Sequence, residues 1–250
     1  MKLAQRCLGI LFVVCALCAI YLSSRGVALP DPSVIDAAVT ASEPVQGPTD
    51  RDAFTTVIDG YTYTIVPRAA YDIAGLVVSR HRSDALLNLY HKADRGNIAD
   101  VCVVWGEPIR NGSYRAVRYS SSEFTCSYEW SGTVAPPFNA EKLANNHLLP
   151  ADAVVARRIQ ALRIGDQIRM RGLLVDYTVR SGGSEIFTRR TSLTRTDTGN
   201  GACEILYTTD VSVIRAVSRV RADAARYAWW ASLGAFVAFA VVWLARPPFA

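Results

Sequence analysis

The sequence predicts a mainly β domain flanked by N- and C-terminal transmembrane helices. Three observations support this fold class: two long apolar segments near the ends of the 250-residue chain, short apolar runs separated by turn residues between positions 54 and 216, and an amphipathic helix that interrupts these runs. Half of the residues are hydrophobic and the mean hydropathy is +0.15, which excludes a disordered chain. The formal net charge of +5 is spread over the whole chain and does not by itself indicate a nucleic-acid partner.

The C-terminal apolar segment is Tyr227–Ala245, which contains no charged residue. As a helix it would span about 28 Å, close to the thickness of the hydrocarbon core of a bilayer. Tryptophans lie near both of its ends, which is typical of the aromatic belts of membrane helices. We therefore predict a transmembrane helix over 227–245, preceded by a basic neck over 217–226. Small residues spaced four apart, such as Gly234 and Ala238, would permit a homodimer or a partner membrane protein at this helix.

Residues 1–23 contain the other apolar segment, in which Lys2 and Arg6 precede the run Cys7–Leu22. This pattern is typical of a retained signal anchor and also of a cleavable signal peptide, for which Ala28 would end the cleavage site. We favour the retained helix. Basic residues ahead of this segment favour an exported domain, whereas the arginines of the neck favour a cytoplasmic one. Because the first signal usually dominates, we expect an inner (cytoplasmic) membrane protein whose soluble domain is periplasmic or extracytoplasmic.

The chain between these segments divides into two parts by composition. Residues 24–53 are rich in proline and acidic residues and are predicted to be a linker, while residues 54–216 form the folded domain. The first half of the domain is predicted to contain strands over Tyr61–Val66, Tyr71–Ser79 and Val101–Trp105, an alternating run over Phe124–Trp130, and a short helix over Ser83–Gly96.

The second half of the domain has a more specific pattern. A helix is predicted between Pro150 and Gly165, and it leads directly into a long strand over Asp166–Arg180. Along that strand the apolar residues change from even to odd positions near Gly172, which indicates a bulge or a sharp bend. A last strand follows from Cys203. The predicted order is three strands, a helix, a long coiled strand and a closing strand. An oligonucleotide/oligosaccharide-binding (OB) barrel has this order of elements. We therefore predict a small, OB-like, partly closed barrel with one or two short helices.

Several runs of the domain resemble an uncharacterised bacterial family of membrane-anchored proteins. They are YDIAGLVVSRH (71–81), DVCVVWGE (100–107), NNHLLP (145–150), IGDQIRMRGLLVDY (164–177) and TRTDTGNGACE (194–204). The resemblance covers about 64–214, and the chain departs from the family pattern at Ala144 and Leu193. It implies a membrane-anchored location and this fold. The family carries no established activity, so the resemblance implies no mechanism.

The domain contains the disulfide candidates Cys102, Cys126 and Cys203, while the other cysteines lie in the N-terminal apolar segment. No C-x-x-C motif is present, which disfavours a zinc knuckle or a thioredoxin-like site. An exported location would allow one disulfide and leave one free thiol. Closure of a barrel would slightly favour the pair Cys126–Cys203, and three buried thiols remain an equal alternative.

His147 is the candidate for acid–base chemistry, with Asp197 as its candidate partner. The alternative is structural: the polar sequence Asn145-Asn146-His147 forms a turn ahead of the helix, in which the asparagines cap the helix and the histidine bonds to backbone. The other histidines, His81 and His91, lie in a separate region, so no metal site and no cofactor is predicted.

A ligand could bind where the NNH and TDTGNG motifs meet on one rim. The candidate binding residues are Asn145, Asn146, His147, Arg190, Arg195, Asp197 and Asn200. The arginines of the later half, with aromatic residues between them, would suit a single-stranded nucleic acid, but the net charge of the domain is small and an exported location makes nucleic acid an unlikely partner.

Three functions remain open from the sequence. The first is a membrane-anchored, exported barrel that binds a protein partner or ligand and has no catalysis of its own. The second is a hydrolase or transferase that uses His147 with Asp197. The third is a cytoplasm-facing OB domain that binds single-stranded nucleic acid.

Overall fold

The structure is a computed structural model that describes residues 2–24, 29–41, 43–82, 94–194, 197, 202–218 and 220–245. The chain divides into two compact units, one formed by its two terminal segments and the other by Leu29–Val217. Strands account for 40% and helices for 33% of the chain. The mainly β class with an apolar helix at each end is therefore confirmed.

The terminal unit is a pair of helices, α1 (Lys2–Ser24) and α5 (Val220–Leu244). Each contains a stretch that is long and apolar enough to cross a membrane. The helices are antiparallel: the Phe12 and Phe236 ring centroids are 5.5 Å apart, and Gly9, nearer the N-terminus, lies against Phe239. These features weakly support the predicted membrane anchoring.

The second unit is built from ten strands and three α-helices within the described residues. In chain order they are α2 (Ala37–Ala41), β1 (Val45–Gly47), β2 (Phe54–Ile58), β3 (Tyr61–Arg82), β4 (Ala99–Val104), α3 (Glu107–Arg110), β5 (Arg118–Ser122), β6 (Thr125–Glu129), β7 (Leu143–Pro150), α4 (Ala153–Ala161), β8 (Gln167–Ser181), β9 (Ser184–Arg189) and β10 (Glu204–Arg215).

Five of these strands pair in a continuous ring. Antiparallel pairs join β3 to β4, β4 to β7, β10 to β8, and β8 back to β3, while β7 and β10 are parallel. The short strands β1, β2 and β9 add to this sheet, and β5 and β6 form a separate hairpin. One face of the sheet packs on α4 through Val155 and Ile159, which lie with Leu148 and Met170 in the main core cluster.

The first predicted strands form one element. β3 runs without a break through Pro67, where sequence analysis ended the first strand. The pairing register with β8 shifts between Pro67 and Ala69, so a bulge accommodates the proline, which cannot donate to the ladder. The predicted helix over Ser83–Gly96 lies mostly outside the described residues, and 94–96 are not helical.

The second half of the domain follows the predicted pattern. Asp152 caps α4 by accepting hydrogen bonds from Val154 N and Val155 N, at 2.7 and 2.9 Å. At the predicted bend, a Cβ on Gly172 would lie 2.0 Å from the Tyr207 carbonyl oxygen. The register of β10 against β8 shifts beside this close approach, so the phase change in the sequence marks a true irregularity.

The predicted linker over 24–53 needs correction in its second part, because the compact domain begins at Leu29. Val39 is fully buried, Asp36 N donates to Gln167 Oε1 at 2.6 Å, and Val45–Gly47 pairs with β3. Isolated apolar residues hold this segment on the domain, and they have no strand or helix period that the sequence could reveal.

Candidate active site

A polar strip crosses the face of β4 and β7 that lies opposite α4. Side chains alternate along a strand, so Asp100 and Cys102 share one face of β4, and Asn145 and His147 share one face of β7. The register of the two strands pairs Asp100 with His147 and Cys102 with Asn145. Strand pairing therefore brings together residues that lie about 40 positions apart in the sequence.

Asp100 and His147 form a buried pair. The His147 Nδ1 lies 2.7 Å from Asp100 Oδ1, and the residues are 5% and 0% exposed. Asp100 accepts two further hydrogen bonds, from Asn97 Nδ2 at 2.8 Å and from Phe124 N at 2.7 Å. The buried carboxylate therefore has the partners that its charge requires.

The environment favours the charged form of both groups. Burial alone would raise the pKa of Asp100 and lower that of His147. The hydrogen bond between them and the attraction of opposite charges outweigh burial, so the pKa of Asp100 is lowered and the pKa of His147 is raised to about 9. At neutral pH the pair is a carboxylate and an imidazolium.

Cys203 extends this pair into a chain of polar contacts. It directly precedes β10, which runs parallel to β7 with Ile205 opposite His147. Interaction with Cys203 is a further cause of the raised pKa of His147, so the sulfur lies near the imidazole. The thiol itself donates to the Phe124 carbonyl oxygen at 3.8 Å. Asn145 Nδ2 also donates to Cys203 Sγ at 3.4 Å. Cys203 is partly exposed, so the chain leads from a buried carboxylate to an accessible thiol.

The tip of the β5–β6 hairpin covers the site. Phe124, at a positive φ of 56°, donates its N–H to Asp100 and accepts from Asn145 Nδ2 at 3.3 Å. Its ring lies edge-on to the imidazole with centroids 5.5 Å apart, and the Arg189 guanidinium stacks on it at 3.6 Å. One residue thus contacts the carboxylate, the amide and the imidazole.

A disulfide joins Cys102 of β4 to Cys126 of the hairpin. The slight preference for Cys126–Cys203 was wrong, because the hairpin folds back over β4 and brings Cys126 to Cys102. Cys203 remains a free thiol.

The structure places the predicted site residues differently from the sequence analysis. His147 lies within β7 and not in a turn. Its carboxylate partner is Asp100, whereas Asp197 is exposed and bonds to the Ser192 hydroxyl. Asn146 is turned to the opposite face, where it donates to the Val101 carbonyl oxygen at 3.3 Å.

The arginines and the loop asparagine of the predicted set do not join the cluster. Arg190 is exposed beyond the end of β9. Arg195 and Asn200 lie outside the described residues. Sequence reasoning missed Asp100, and it treated Cys203 only as a disulfide candidate. The available signal was that three of the quoted motifs, DVCVVWGE, NNHLLP and TRTDTGNGACE, each supply one member of the chain.

Within the described residues, no group of three or more His, Cys, Asp and Glu side chains is arranged to hold a metal ion. No protein-family model, curated protein or solved structure matches this chain.

Proposed function

We propose that this protein is a membrane-anchored thiol hydrolase or transferase. Cys203 is the nucleophile, His147 the base and Asp100 the group that orients the imidazole. The observation that carries this proposal is the buried Asp100–His147 hydrogen bond beside Cys203, whose sulfur also accepts a hydrogen bond from Asn145. It is the arrangement of a nucleophile, a base and an orienting third group.

The chemistry is acyl transfer. The raised pKa of His147 places a proton on the imidazole at neutral pH. In the reactive pair this is the proton of the Cys203 thiol, and Asp100 stabilises the imidazolium. The sulfur forms a bond to the substrate carbonyl carbon, and the leaving group departs with the proton from Nε2. Water or an acceptor then attacks the thioester and gives its proton to Nε2. The C–S bond breaks, and the thiol regains the proton.

Asn145 fits a supporting role in this scheme. Its Nδ2 donates to the sulfur at 3.4 Å, and the same amide is held by the Phe124 carbonyl oxygen. A fixed donor beside the nucleophile stabilises negative charge on sulfur before attack.

We also propose that the ring of strands is an OB-like, partly closed barrel. Three features support it: the closing β3–β8 pair, the parallel β7–β10 pair, and α4 between β7 and β8. OB folds bind ligands on the face of their second and third strands and on the loops beside them. The corresponding strands are β4 and β7, which carry Asp100 and His147.

The proposed location is the inner membrane, with the domain exported. The basic residues before α1 support this orientation. The Cys102–Cys126 disulfide also favours an oxidising compartment. The partners proposed for α1 and α5 are the lipid bilayer and a second copy of the chain, because a Cβ on Gly234 would meet no described atom within 4 Å.

Thiol reactivity tests the enzymatic proposal. In the full chain carrying C7A/C15A/C18A, Cys203 is the remaining free thiol. At pH 7 we expect iodoacetamide to alkylate it at least about tenfold faster than it alkylates the same thiol in the unfolded chain, and His147→Ala to abolish the difference. Near-UV circular dichroism checks that the variant is folded. Equal rates in the folded and unfolded chain would overturn the proposal.

A second candidate is binding without catalysis, which a groove outside the thiol site favours. The groove has a volume of about 460 Å³ and is lined by β1, β3 and β8, with Tyr71 and Leu173 beside Asp72 and Arg171. The test is complementation of a strain that lacks the gene. If the Cys203→Ser variant, present at the normal protein level, restores wild-type behaviour to that strain, binding without catalysis is favoured and the enzymatic proposal fails.

Nucleic-acid binding has less support. Arg169 and Arg171 both bind Asp72, at 2.6 and 2.9 Å, and Arg158 binds Asp210 at 2.9 Å. These ion pairs balance part of the basic face within the protein, which leaves less charge for a polyanion.

A further inference from the structure

Arg189 is a cation beside the thiol site that has no part in the acyl-transfer scheme. Its guanidinium carbon lies 3.6 Å from the Phe124 ring centroid, and that ring is 5.5 Å from the imidazole centroid, so the charge lies within about 9 Å of His147. The side chain is 32% exposed, so a ligand can reach it.

The position of the guanidinium is fixed by several contacts. It also stacks over Phe187 at 5.4 Å, and Nε lies 3.3 Å from Asp94 Oδ2. The Tyr63 and Tyr177 hydroxyls donate to the same carboxylate. Burial and the charge of Asp94 raise the pKa of both tyrosines, so they remain protonated donors and share the negative charge with Arg189.

The outer edge of the guanidinium is available for a ligand. Stacking on a ring occupies the flat face of the group and leaves its in-plane N–H donors directed sideways. Within the described part of the chain, no residue accepts a hydrogen bond from either Nη atom of Arg189. A planar carboxylate accepts two parallel N–H bonds from such an edge.

We propose that Arg189 binds a carboxylate of the substrate, so that the acyl compounds attacked by Cys203 are anionic close to the reacting carbonyl. The inference rests on the proposed thiol chemistry. Arg189 sets which substrate binds and takes no part in proton transfer.

The chain offers a matched control in the next residue. Arg190 carries the same charge but is exposed beyond the strand, and no aromatic ring among the described residues lies against its guanidinium. A substitution at either position removes one positive charge from the same end of β9. Only Arg189 is stacked beside the site.

The test compares two alkylating agents of nearly equal size, iodoacetate, which carries a carboxylate, and iodoacetamide, which is neutral. The protein is the full chain with C7A/C15A/C18A, in detergent at pH 7. We expect Arg189→Gln to slow iodoacetate by about threefold to tenfold and to change iodoacetamide by less than about twofold, as expected for the loss of one nearby charge. Arg189→Lys keeps the charge and should retain part of the preference.

Each outcome is decisive. If Arg189→Gln lowers the iodoacetate rate and Arg190→Gln does not, the anion site is supported. If both substitutions lower it equally, the effect is general surface charge and the inference fails, while the thiol chemistry stands. If Cys203 in the parent chain reacts no faster than an unfolded thiol with iodoacetamide, the proposed function fails and this inference fails with it.

Discussion

At the scale of single residues, the ionisation of the site depends on Asp100. Its fully buried carboxylate accepts hydrogen bonds from an imidazole, an amide and a backbone N–H. Such a charge is tolerated only with its partners, since breaking a buried pair by removing one member typically costs about 3–5 kcal/mol. The same contacts fix the orientation of the imidazole, so the stability of the domain and the proposed reactivity depend on one arrangement.

The His147–Asp100 pair should give the protein a characteristic dependence of stability on pH. The pKa of His147 is about 9 when folded and 6.5 without perturbation, so its contribution is fully present below pH 6.5 and is lost as the pH rises toward 9. The lowered pKa of Asp100 acts oppositely: its contribution is present above about pH 4 and is lost as the pH falls. We expect the free energy of unfolding to fall by on the order of 2–3 kcal/mol between pH 6.5 and 9.

The measurement is thermal unfolding of the full chain, followed by near-UV circular dichroism across that pH range. The double variant Asp100→Asn/His147→Gln is the control, because it removes both charges and keeps polar groups of similar shape. The decrease above pH 6.5 should be absent from the control. An equal decrease in both proteins would contradict the assignment of the raised pKa to this pair.

Sequence analysis could select His147 but not its partners. A buried strand with three successive polar residues, Asn145, Asn146 and His147, does not follow the apolar alternation of a strand, so its pattern indicates a turn. Asp100 faces His147 only through the register of β4 and β7. A contact that depends on strand pairing has no local signal in the sequence.

At the scale of elements, the β5–β6 hairpin is the part that closes the site. Its two strands pair with each other in a separate sheet, and its tip makes the contacts of Phe124 with Asp100 and Asn145. The disulfide between Cys126 and Cys102 joins the body of the hairpin to β4. The disulfide and the hydrogen bonds of Phe124 therefore both hold the hairpin over the Asp100–His147 pair.

Removal of the disulfide should destabilise the domain. The bond closes a loop with a sequence separation of 24, for which loss of a crosslink typically costs about 3 kcal/mol. We expect Cys102→Ser/Cys126→Ser to lower the midpoint of thermal unfolding, while Cys203→Ser leaves both the midpoint and the disulfide nearly unchanged. Peptide mass mapping without reductant identifies the bond in each protein. A crosslink that disappears in Cys203→Ser would show that the pairing is wrong.

The elements that the sequence predicted best are those with a local cause. Asp152 caps the start of α4, and Gly172 lies where only a glycine permits the approach of the Tyr207 carbonyl. Gly165 does not end the helix as predicted, because α4 ends at Ala161 and Gly165 lies at a positive φ in the turn that follows. The packed part of 29–47 was not predicted, because single residues such as Val39 fill gaps in the domain without any period.

At the scale of the whole molecule, the high mean hydropathy is an average over two units that differ in how much apolar surface they expose. The exposed apolar side chains of α1 and α5 suit lipid, whereas the sheet domain buries its apolar residues in three clusters. A free thiol and a disulfide coexist in that domain. In an oxidising compartment the disulfide persists, and Cys203 stays free because the other two cysteines of the domain are already paired with each other.

The exported orientation predicts that Cys203 is accessible from outside the cytoplasmic membrane. In cells expressing the full chain with C7A/C15A/C18A, a membrane-impermeant maleimide should label Cys203 once the outer layers of the cell are made permeable and before the inner membrane is lysed. Cys203→Ser is the control for specificity, and a cytoplasmic protein with a known exposed thiol reports membrane leakage. Labelling that appears only after lysis would place the domain in the cytoplasm. The arginines before α5 would then have determined the topology, and the disulfide would lie in a compartment that reduces it.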